Sequence, residues 1–256
     1  MWTNSLPPEL LNTVHCMDCL EFMKGLPDGC VDCIICDLPY GTTSCYRDEI
    51  IDFEELRSQY NRITKQDAPI VLFSSQPFTS KLVLSQIDKF KYEIIREKTR
   101  VSNPLLSNIQ PLKIHENIIV FWKWRIKYNP IMEAGNKYLV SSKSWWRIAN
   151  ETKTNTEWID EKTNTWRFPK TVVKFSNASL DVWLHPTQKD LELLKYLVET
   201  YSDKWDTVLD NTAGSGTTWV ACKELWRNYI LVEKEPKYVD IIHKRLQNTT
   251  VSLFHS

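Results

Sequence analysis

The sequence predicts an α/β fold in which helices cover both faces of a mostly parallel sheet. Apolar runs of strand length alternate with helix-period segments at both ends of the 256-residue chain, and this alternation is typical of a parallel sheet with crossover helices. A stretch at residues 123–180 breaks the alternation. At this length the chain can form one domain with a large core and one inserted module. We therefore divide it into residues 1–122, 123–180 and 181–256.

The predicted elements follow from hydrophobic period and from turn residues. The run at 31–36, VDCIIC, is apolar apart from Asp32, as expected for a strand that is buried on both faces. Helices are predicted over 18–26, 53–64, 80–87, 188–201, 217–225 and 237–246. Strands are predicted over 31–36, 70–73, 92–95, 117–122, 207–209 and 229–232.

Six of the seven cysteines lie in the first 45 residues, and their C-x2-C spacings are compatible with a zinc or iron–sulfur site. Cys33 and Cys36 are three positions apart on a predicted strand, so their side chains point to opposite faces and cannot ligate one metal. A thiol is also often buried as a small hydrophobe. We therefore predict no metal site.

Cellular location is inferred from the same features. An odd number of cysteines fits reduced thiols better than a disulfide framework. No apolar run approaches the roughly 20 residues that span a bilayer, and residues 1–11 lack the basic start of a signal peptide. These features predict a cytoplasmic protein with no membrane segment.

The charge of the chain is unevenly distributed. Lysine plus arginine and aspartate plus glutamate both number 32, so the formal net charge is zero. Residues 123–180, however, hold 11 basic and 5 acidic residues, together with five tryptophans. The zero is therefore a cancellation between an acidic remainder and a basic insert, and it does not exclude a nucleic-acid partner.

A glycine turn follows the predicted strand 207–209, in the run Asp210-Asn-Thr-Ala-Gly-Ser-Gly-Thr-Thr218. Glycines let the backbone approach a ligand, and the helix start beyond them offers unpaired N–H groups. A P-loop would need a lysine after the turn, and a dinucleotide site would need a third glycine where Trp219 stands. S-adenosyl-L-methionine, which has no pyrophosphate, fits better. Glu233 ends the next strand, 23 residues after Asp210, where an acid that binds ribose hydroxyls belongs.

A second motif, Asp37-Leu38-Pro39-Tyr40, ends the strand 31–36, where open α/β sheets place their ligands. An ordinary turn would explain the aspartate and proline, but it would not explain the tyrosine. The exocyclic amine of a nucleobase is a poor nucleophile until a hydrogen-bond acceptor engages its N–H. Asp37 and the Leu38 carbonyl could be those acceptors, and Tyr40 could stack on a base that has left the duplex.

These motifs resemble those of the DNA amino-methyltransferases, in the permuted β class whose catalytic tetrapeptide precedes the cofactor glycines. The resemblance implies a Rossmann-like methyltransferase sheet, S-adenosyl-L-methionine as cofactor and double-stranded DNA with a flipped base as substrate. In that family Asp at the first position is usual for N6-adenine and Ser for N4-cytosine, so Asp37 favours adenine. Leu38 replaces a proline of the family motif, and Asn211-Thr212 replaces its Pro-Phe.

The resemblance also implies roles for residues outside the two motifs. Asp18 matches an acid that reads the adenine amine of the cofactor, although a helix-terminal acid is the structural alternative. His185-Pro-Thr-Gln-Lys189 matches a motif by the methionine end of the cofactor, and locally it predicts a helix start capped by Thr187, with Asp190 as its partner. His115 and Glu116 match a His-Glu pair, for which we favour a structural histidine. The implied cofactor residues are Asp18, His185, Thr187, Lys189, Asp210, Thr212, Ala213, Gly214, Ser215, Gly216, Thr217, Thr218 and Glu233.

In this family the segment between the catalytic half, here residues 1–122, and the cofactor-binding half of the same domain, here residues 181–256, recognises the target sequence. The resemblance therefore assigns that task to residues 123–180. Basic residues neutralise phosphates, and aromatic rings stack on or wedge between bases. The candidate DNA contacts are Trp145, Trp146, Arg147, Arg167 and Lys170. N4-cytosine methylation, a non-catalytic nucleic-acid-binding subunit and an RNA substrate stay open as alternatives. A homodimer and a cognate restriction endonuclease of a restriction-modification system are further expected partners.

Overall fold

The computed structural model describes residues 6–41, 48–124, 126–134, 138–141, 159–162, 166–176 and 189–252. The chain divides into two compact units. The first unit combines Met1–Asn129 with Thr171–Ser256, and the second is Pro130–Lys170.

The first unit holds all six described α-helices, two short 3-10 helices (Pro8–Leu10 and Pro104–Leu106) and eight of the described strands. Its N-terminal part contains β1 (Thr13–Cys16), α1 (Cys19–Lys24), β2 (Cys33–Asp37), α2 (Phe53–Ile63), β3 (Ile70–Ser74), α3 (Phe78–Ser85), β4 (Phe90–Glu97) and β5 (His115–Phe121). The second unit contains the short strands β6 (Glu133–Ala134), β7 (Tyr138–Ser141), β8 (Ile159–Lys162) and β9 (Trp166–Arg167). The first unit resumes with β10 (Val172–Lys174), α4 (Leu191–Tyr201), β11 (Thr207–Asp210), α5 (Thr217–Glu224), β12 (Asn228–Glu233) and α6 (Pro236–Ser252).

The strands of the first unit form one eight-stranded sheet in the order β1-β12-β11-β2-β3-β5-β4-β10. Every neighbouring pair is parallel except the two pairs that involve β5. The chain enters the sheet at the edge strand β1, continues through β2 and β3, and later inserts β11 and β12 between β2 and β1. Because β2, β11 and β12 are parallel neighbours, their carboxyl ends lie at one edge of the sheet.

Helices pack on both faces of this sheet, as predicted. One core contains Ile34 and Cys36 of β2 with side chains from α1, α2 and α3, including Phe22 and Tyr60. The other core contains Cys33 and Ile35 with side chains from α4, α5 and α6. Cys33 and Cys36 thus lie on opposite faces, which confirms the reason for excluding them as ligands of one metal. In the described part of the chain, no group of three or more His, Cys, Asp or Glu side chains could hold a metal ion.

The predicted elements are all present, and they differ from the observed ones mainly at their ends. Six of the twelve described strands are not predicted: β1, which is a short and only half-buried edge strand, the four strands β6–β9 of the second unit, and β10. Helix α3 begins two residues earlier than predicted. The predicted start of a helix at Gln188 is wrong, because α4 begins at Leu191 and the Asp190 carboxylate caps it by accepting from the Leu193 N–H at 3.1 Å. Thr187, the predicted cap, lies outside the described residues.

The insert is narrower in the structure than residues 123–180. Val172–Lys174 pairs with β4 at the edge of the main sheet, and Asn129 donates its main-chain N–H to the Thr200 carbonyl at 2.7 Å. In the second unit β6 pairs with β9 and β7 pairs with β8, both antiparallel. Among the helices that the structure describes, none has the length and apolar character needed to cross a membrane.

Candidate active site

A cavity of about 650 Å³ opens at the carboxyl ends of the central parallel strands. Three acids that end neighbouring strands line it: Asp37 ends β2, Asp210 ends β11 and Glu233 ends β12. The adjacent strand β1 leads to Asp18, which lines the same cavity. A sheet edge of this kind is where α/β folds bind ligands.

The tetrapeptide after β2 is held in a fixed loop. The Tyr40 and Gly41 main-chain N–H groups both donate to Asp48 Oδ1, at 2.7 and 2.9 Å. The Tyr40 hydroxyl donates to Asp37 Oδ1 at 2.5 Å, and its ring lies 5.1 Å from that of Phe78, centroid to centroid. Both polar ends of the tyrosine are therefore anchored, so the orientation of its ring is fixed.

The second carboxylate oxygen of Asp37 faces Lys189, which lies just before α4. Lys189 Nζ lies 3.1 Å from Asp37 Oδ2 and 3.6 Å from Glu116 Oε2. The same ammonium group lies over the Phe73 ring, 4.7 Å from its centroid. Burial raises the pKa of the Asp37 carboxyl above its usual range, and the opposing effects of Lys189 and the Tyr40 hydroxyl offset this only in part. Asp37 is therefore a better hydrogen-bond acceptor than an exposed aspartate.

Glu116 is surrounded by cations. Arg96 Nη1 lies 2.9 Å from Glu116 Oε2, and Lys98 Nζ lies 3.6 Å from Oε1. Burial alone would raise the pKa of Glu116, but Lys189, Arg96 and Lys98 together lower it to about 2. Glu116 consequently stays ionised at any pH at which the protein would work. His115, the other half of the predicted pair, is exposed at the start of β5.

The glycine turn connects β11 to α5. Gly216 precedes the helix with φ of +75°, and a Cβ added there would lie 2.8 Å from both Trp219 Cδ1 and Ile242 Cγ1. Only glycine fits this backbone conformation and this space. The Gly214 N–H donates to Glu233 Oε2 at 2.8 Å, so the turn is bonded to the end of the next strand.

Asp210 is buried beneath this turn. It accepts from the Thr218 hydroxyl at 2.5 Å and from the Thr212 N–H at 3.2 Å. Burial raises its pKa to about 7, although both hydrogen bonds act in the opposite direction. The Thr212 hydroxyl donates to the main-chain carbonyl of Asp37 at 3.0 Å, which links the two halves of the cavity.

Asp18 is the N-cap of α1. Its Oδ1 accepts from the main-chain N–H groups of Leu20 at 2.9 Å and Glu21 at 3.3 Å, and each cap of this type stabilises a helix by about 1 kcal/mol. The structural alternative for Asp18 is thus realised. The assignment to the cofactor is not displaced by it, because the residue also lines the cavity.

The structure brings most of the predicted site residues into one place. Gly216 belongs to the turn but is not among the residues that line the cavity. Arg167 and Lys170 are exposed in the second unit. His185, Thr187, Trp145, Trp146 and Arg147 lie outside the described residues. The predicted residues that line the cavity are Asp18, Asp37, Leu38, Pro39, Tyr40, Lys189, Asp210, Thr212, Ala213, Gly214, Ser215, Thr217, Thr218 and Glu233.

Some residues of the site were not predicted from the sequence. Asp48, which holds the tetrapeptide loop, carries no local signal because its partners are main-chain groups eight and seven residues earlier. Arg96 carries no clear sequence signal either, because its strand, β4, holds three other charged residues. The sequence marks Glu116 only as half of a His-Glu pair and indicates no role for it.

Comparison with known proteins agrees with this geometry. The N6/N4 DNA methylase family matches residues 31–244 of the chain. The Type II methyltransferase M.HinfI of Haemophilus influenzae is 26% identical over 93% of this chain and 69% of its own length. The Type II methyltransferase M.HpaI of Haemophilus parainfluenzae is 24% identical over 91% of this chain and 73% of its own length.

Solved structures share the fold. The M1.HpyAVI complex with SAM superposes with a TM-score of 0.62 at 24% identity, covering 91% of this chain and 98% of that one. The PvuII DNA methyltransferase, described as cytosine-N4-specific, gives 0.63 at 13% identity, covering 94% and 87%. With most of its length matched by the family, and with both family motifs at one sheet edge, the chain belongs to the N6/N4 DNA methylases, S-adenosyl-L-methionine-dependent methyltransferases that act on DNA.

Proposed function

We propose that this protein transfers a methyl group from S-adenosyl-L-methionine to the N6 amine of adenine in double-stranded DNA. The family includes both N6 and N4 enzymes, so the choice of adenine depends on the site. The observation that carries it is Asp37, an ionisable acceptor with one oxygen bonded to Tyr40 and the other paired with Lys189 inside the cavity.

The residues of the cavity fit the cofactor. The volume of about 650 Å³ is ample for a nucleoside ligand. Carboxylates at Asp18 and Glu233 would accept from the adenine amine and the ribose hydroxyls, while the turn at Gly214 lets the chain pass close to the ligand. Both cap bonds of Asp18 go to Oδ1, so Oδ2 would be the oxygen that accepts from the amine. When bound, the cofactor supplies a methyl group on a positively charged sulfur.

The residues of the tetrapeptide would act on the target base. Asp37 and the Leu38 carbonyl accept hydrogen bonds from the amine and orient its nitrogen toward the methyl donor. Pro39 stiffens the loop between them and the tyrosine. Tyr40, with its ring fixed by the hydroxyl and by Phe78, stacks on the base after it leaves the duplex.

We assign DNA recognition to the basic insert. Arg167 and Lys170 are exposed in the second unit and are suited to phosphate contacts, which fix the position of the protein without reading sequence. Trp145, Trp146 and Arg147 are further proposed DNA contacts, on the basis of the sequence alone.

A second copy of the chain is a further proposed partner. The connection between β4 and β5 exposes five large apolar side chains, among them Leu105 at 94% and Ile109 at 78%, and clusters of this kind mark interaction surfaces. We expect light scattering to show a dimer, and Leu105→Ser with Ile109→Ser to convert it to a monomer. A monomeric wild type would contradict this assignment.

The names of the two relatives suggest a restriction-modification setting. We propose a cognate endonuclease that cuts the same site when it is unmethylated, and with it a cytoplasmic location on the chromosomal DNA. Protection of the mapped site from that endonuclease would test the pairing.

The decisive experiment incubates the protein with labelled cofactor and unmethylated genomic DNA and maps the modified bases by sequencing. We expect N6-methyladenine in one short recognition sequence. N4-methylcytosine would assign the protein to the other branch of the family. Label that enters RNA and not DNA would contradict the substrate, and no label in either would indicate a non-catalytic subunit.

A further inference from the structure

Lys189 is shared between two acids that belong to different strands. Its ammonium group lies 3.1 Å from Asp37 at the end of β2 and 3.6 Å from Glu116 at the start of β5. The lysine side chain is only 11% exposed, and the two acids are 21% and 19% exposed. A lysine that is this enclosed between carboxylates has little freedom to move toward a third partner.

The cluster around this lysine contains more positive than negative charge. Arg96 and Lys98 both pair with Glu116, and the Arg96 side chain is 4% exposed. The buried Arg96 guanidinium also donates to the Ser176 carbonyl. Glu116 is therefore held by two fixed cations, and its Oε2 oxygen is shared between Arg96 and Lys189.

We infer that Glu116 is a positioning residue of the methyl-transfer reaction, which works through Lys189 to limit how tightly Asp37 is paired and so keeps Asp37 ready to accept the target amine. The inference rests on the proposed function, since it assigns a task to Asp37. It also gives Lys189 a role different from binding the cofactor.

The physical reason is competition for one ammonium group. Asp37 must stay ionised to accept an N–H, and Lys189 favours the ionised form. A lysine paired with Asp37 alone would compete with the amine for the same carboxylate oxygen. Glu116 draws the ammonium partly away, so Asp37 keeps its negative charge without being fully neutralised.

Two variants should shift the pKa of Asp37 in opposite directions. Lys189→Met removes the favourable cation, so the pKa of Asp37 should rise. Glu116→Gln removes a like charge and leaves Lys189 to Asp37 alone, so the pKa should fall. A general loss of structure would not produce shifts of opposite sign. The other charged or titratable groups around Asp37, Lys189 and Glu116 are Tyr40 and Cys36 on the strand and loop of Asp37, Arg96 from β4, Lys98 directly after β4, and Asp210 from β11.

The direct test is a carbon-13 NMR titration of the aspartate carboxyl groups in the full chain without cofactor, in which Asp37 is assigned from its absence in Asp37→Asn. Glu97→Gln is the matched control, because Glu97 lies on β4 beside Arg96 but pairs with the exposed Lys174 at 3.1 Å. We expect a rise in Lys189→Met, a fall in Glu116→Gln and no change in Glu97→Gln. Equal or absent shifts in the first two variants would overturn the inference.

The second readout separates positioning from cofactor binding. Calorimetry should give a dissociation constant for S-adenosyl-L-methionine within about threefold of the wild type in both variants, while the single-turnover rate of transfer falls by about tenfold or more at neutral pH. The substrate is a duplex with the site mapped from genomic DNA. Weakening of cofactor binding by tenfold or more in Lys189→Met would instead make this lysine a cofactor ligand.

The dependence of the transfer rate on pH gives the final check. The rate falls on acidification as Asp37 becomes protonated. The pH of this fall should be higher in Lys189→Met and lower in Glu116→Gln than in the wild type. Cooperative unfolding in denaturant checks that Glu116→Gln is folded. If this variant is not folded, Lys189→Arg replaces it, and the pKa of Asp37 in Lys189→Arg should stay close to that of the wild type. A wild type without transfer activity would contradict the proposed function, and the titration would still decide whether the three residues are coupled.

Discussion

The Thr212 hydroxyl donates a hydrogen bond to the main-chain carbonyl of Asp37, with 3.0 Å between Thr212 Oγ1 and the oxygen. The two residues are 175 positions apart in the chain, one in the glycine turn and the other in the tetrapeptide strand. Thr212 stands where the family resemblance leads one to expect phenylalanine. In this chain, therefore, a polar side chain at that position joins the glycine turn to the strand that carries the tetrapeptide.

Replacing Thr212 by valine removes this bond while keeping the shape of the side chain. A single hydrogen bond of this kind contributes about 1 kcal/mol, so we expect transfer to slow by about threefold to tenfold with little change in cofactor affinity. Single-turnover kinetics and calorimetry measure the two effects. Thr212→Ser retains the hydroxyl and should behave as the wild type. A loss in Thr212→Ser with wild-type transfer in Thr212→Val would show that the methyl group, and not the bond, matters.

Asp37→Asn tests the central assignment of the site. The amide keeps the size of the carboxylate but removes its charge and half of its acceptor capacity, so we expect loss of methyl transfer. Cofactor affinity should stay within about tenfold, equivalent to about 1.4 kcal/mol. Asp28→Asn is the control, because Asp28 is exposed and pairs only with Arg62 among the contacts described for it. Undiminished turnover in Asp37→Asn would remove Asp37 from the mechanism.

The parts of the fold that the sequence predicted best are those in which local pattern and burial agree. The run VDCIIC is apolar enough to identify β2, and Asp37 at its end shows which edge carries the chemistry. The glycine turn could be predicted equally well from its glycines, because Gly216 occupies a backbone conformation that other residues rarely adopt. Such signals are contained within a few adjacent residues.

What the sequence could not predict depends on partners far away in the chain. Lys189 was assigned to the cofactor through its motif, but its contacts with Asp37 and Glu116 follow from tertiary packing. Strand β10 is only three residues long and gains its identity by pairing with β4. Asp190, and not Thr187, caps α4, because the helix begins at Leu191 and the Asp190 carboxylate accepts from the Leu193 N–H.

Gly216→Ala should destabilise the protein through both backbone strain and contact. The backbone has φ of +75°, and the new Cβ would lie 2.8 Å from side-chain atoms of Trp219 and Ile242. We expect a loss of at least about 2 kcal/mol in the free energy of unfolding, measured by denaturant titration. Gly29→Ala is matched in φ, at +62°, but has no atom within 4 Å of its added Cβ, so strain alone should cost about 1 kcal/mol there. Equal losses would exclude a contribution from contact.

Arg167→Ala and Lys170→Ala test the basic insert. Each removed phosphate contact should weaken binding to duplexes of any sequence, and it should reduce the slope of log affinity against log salt by about one. Fluorescence anisotropy over a range of salt concentrations gives both quantities. Lys204→Ala changes the charge equally in an exposed loop between α4 and β11, and it should leave the slope intact. An unchanged slope in the two insert variants would place the DNA elsewhere.

Asp210 gives the fold a pH dependence of predictable sign. Burial raises its folded pKa from 3.8 to about 7, so the folded state holds a proton that the unfolded chain has already released. The stabilisation from this proton is complete below the unfolded pKa and is lost as pH rises through about 7. Relative to Asp210→Asn, which cannot ionise, the wild type should therefore become steadily less stable between about pH 4 and about pH 7.

The measurement compares the free energies of unfolding of wild type and Asp210→Asn across this range by denaturant titration. Asparagine can still accept from the Thr212 N–H and pair with the Thr218 hydroxyl, so the variant should fold. Asp240→Asn is the control, because it removes the same charge at an exposed position on α6. Its free energy of unfolding should follow the same pH dependence as that of the wild type across this range. A constant difference between wild type and Asp210→Asn would mean that the buried carboxyl is ionised throughout, held by Thr218 and Thr212 against its burial.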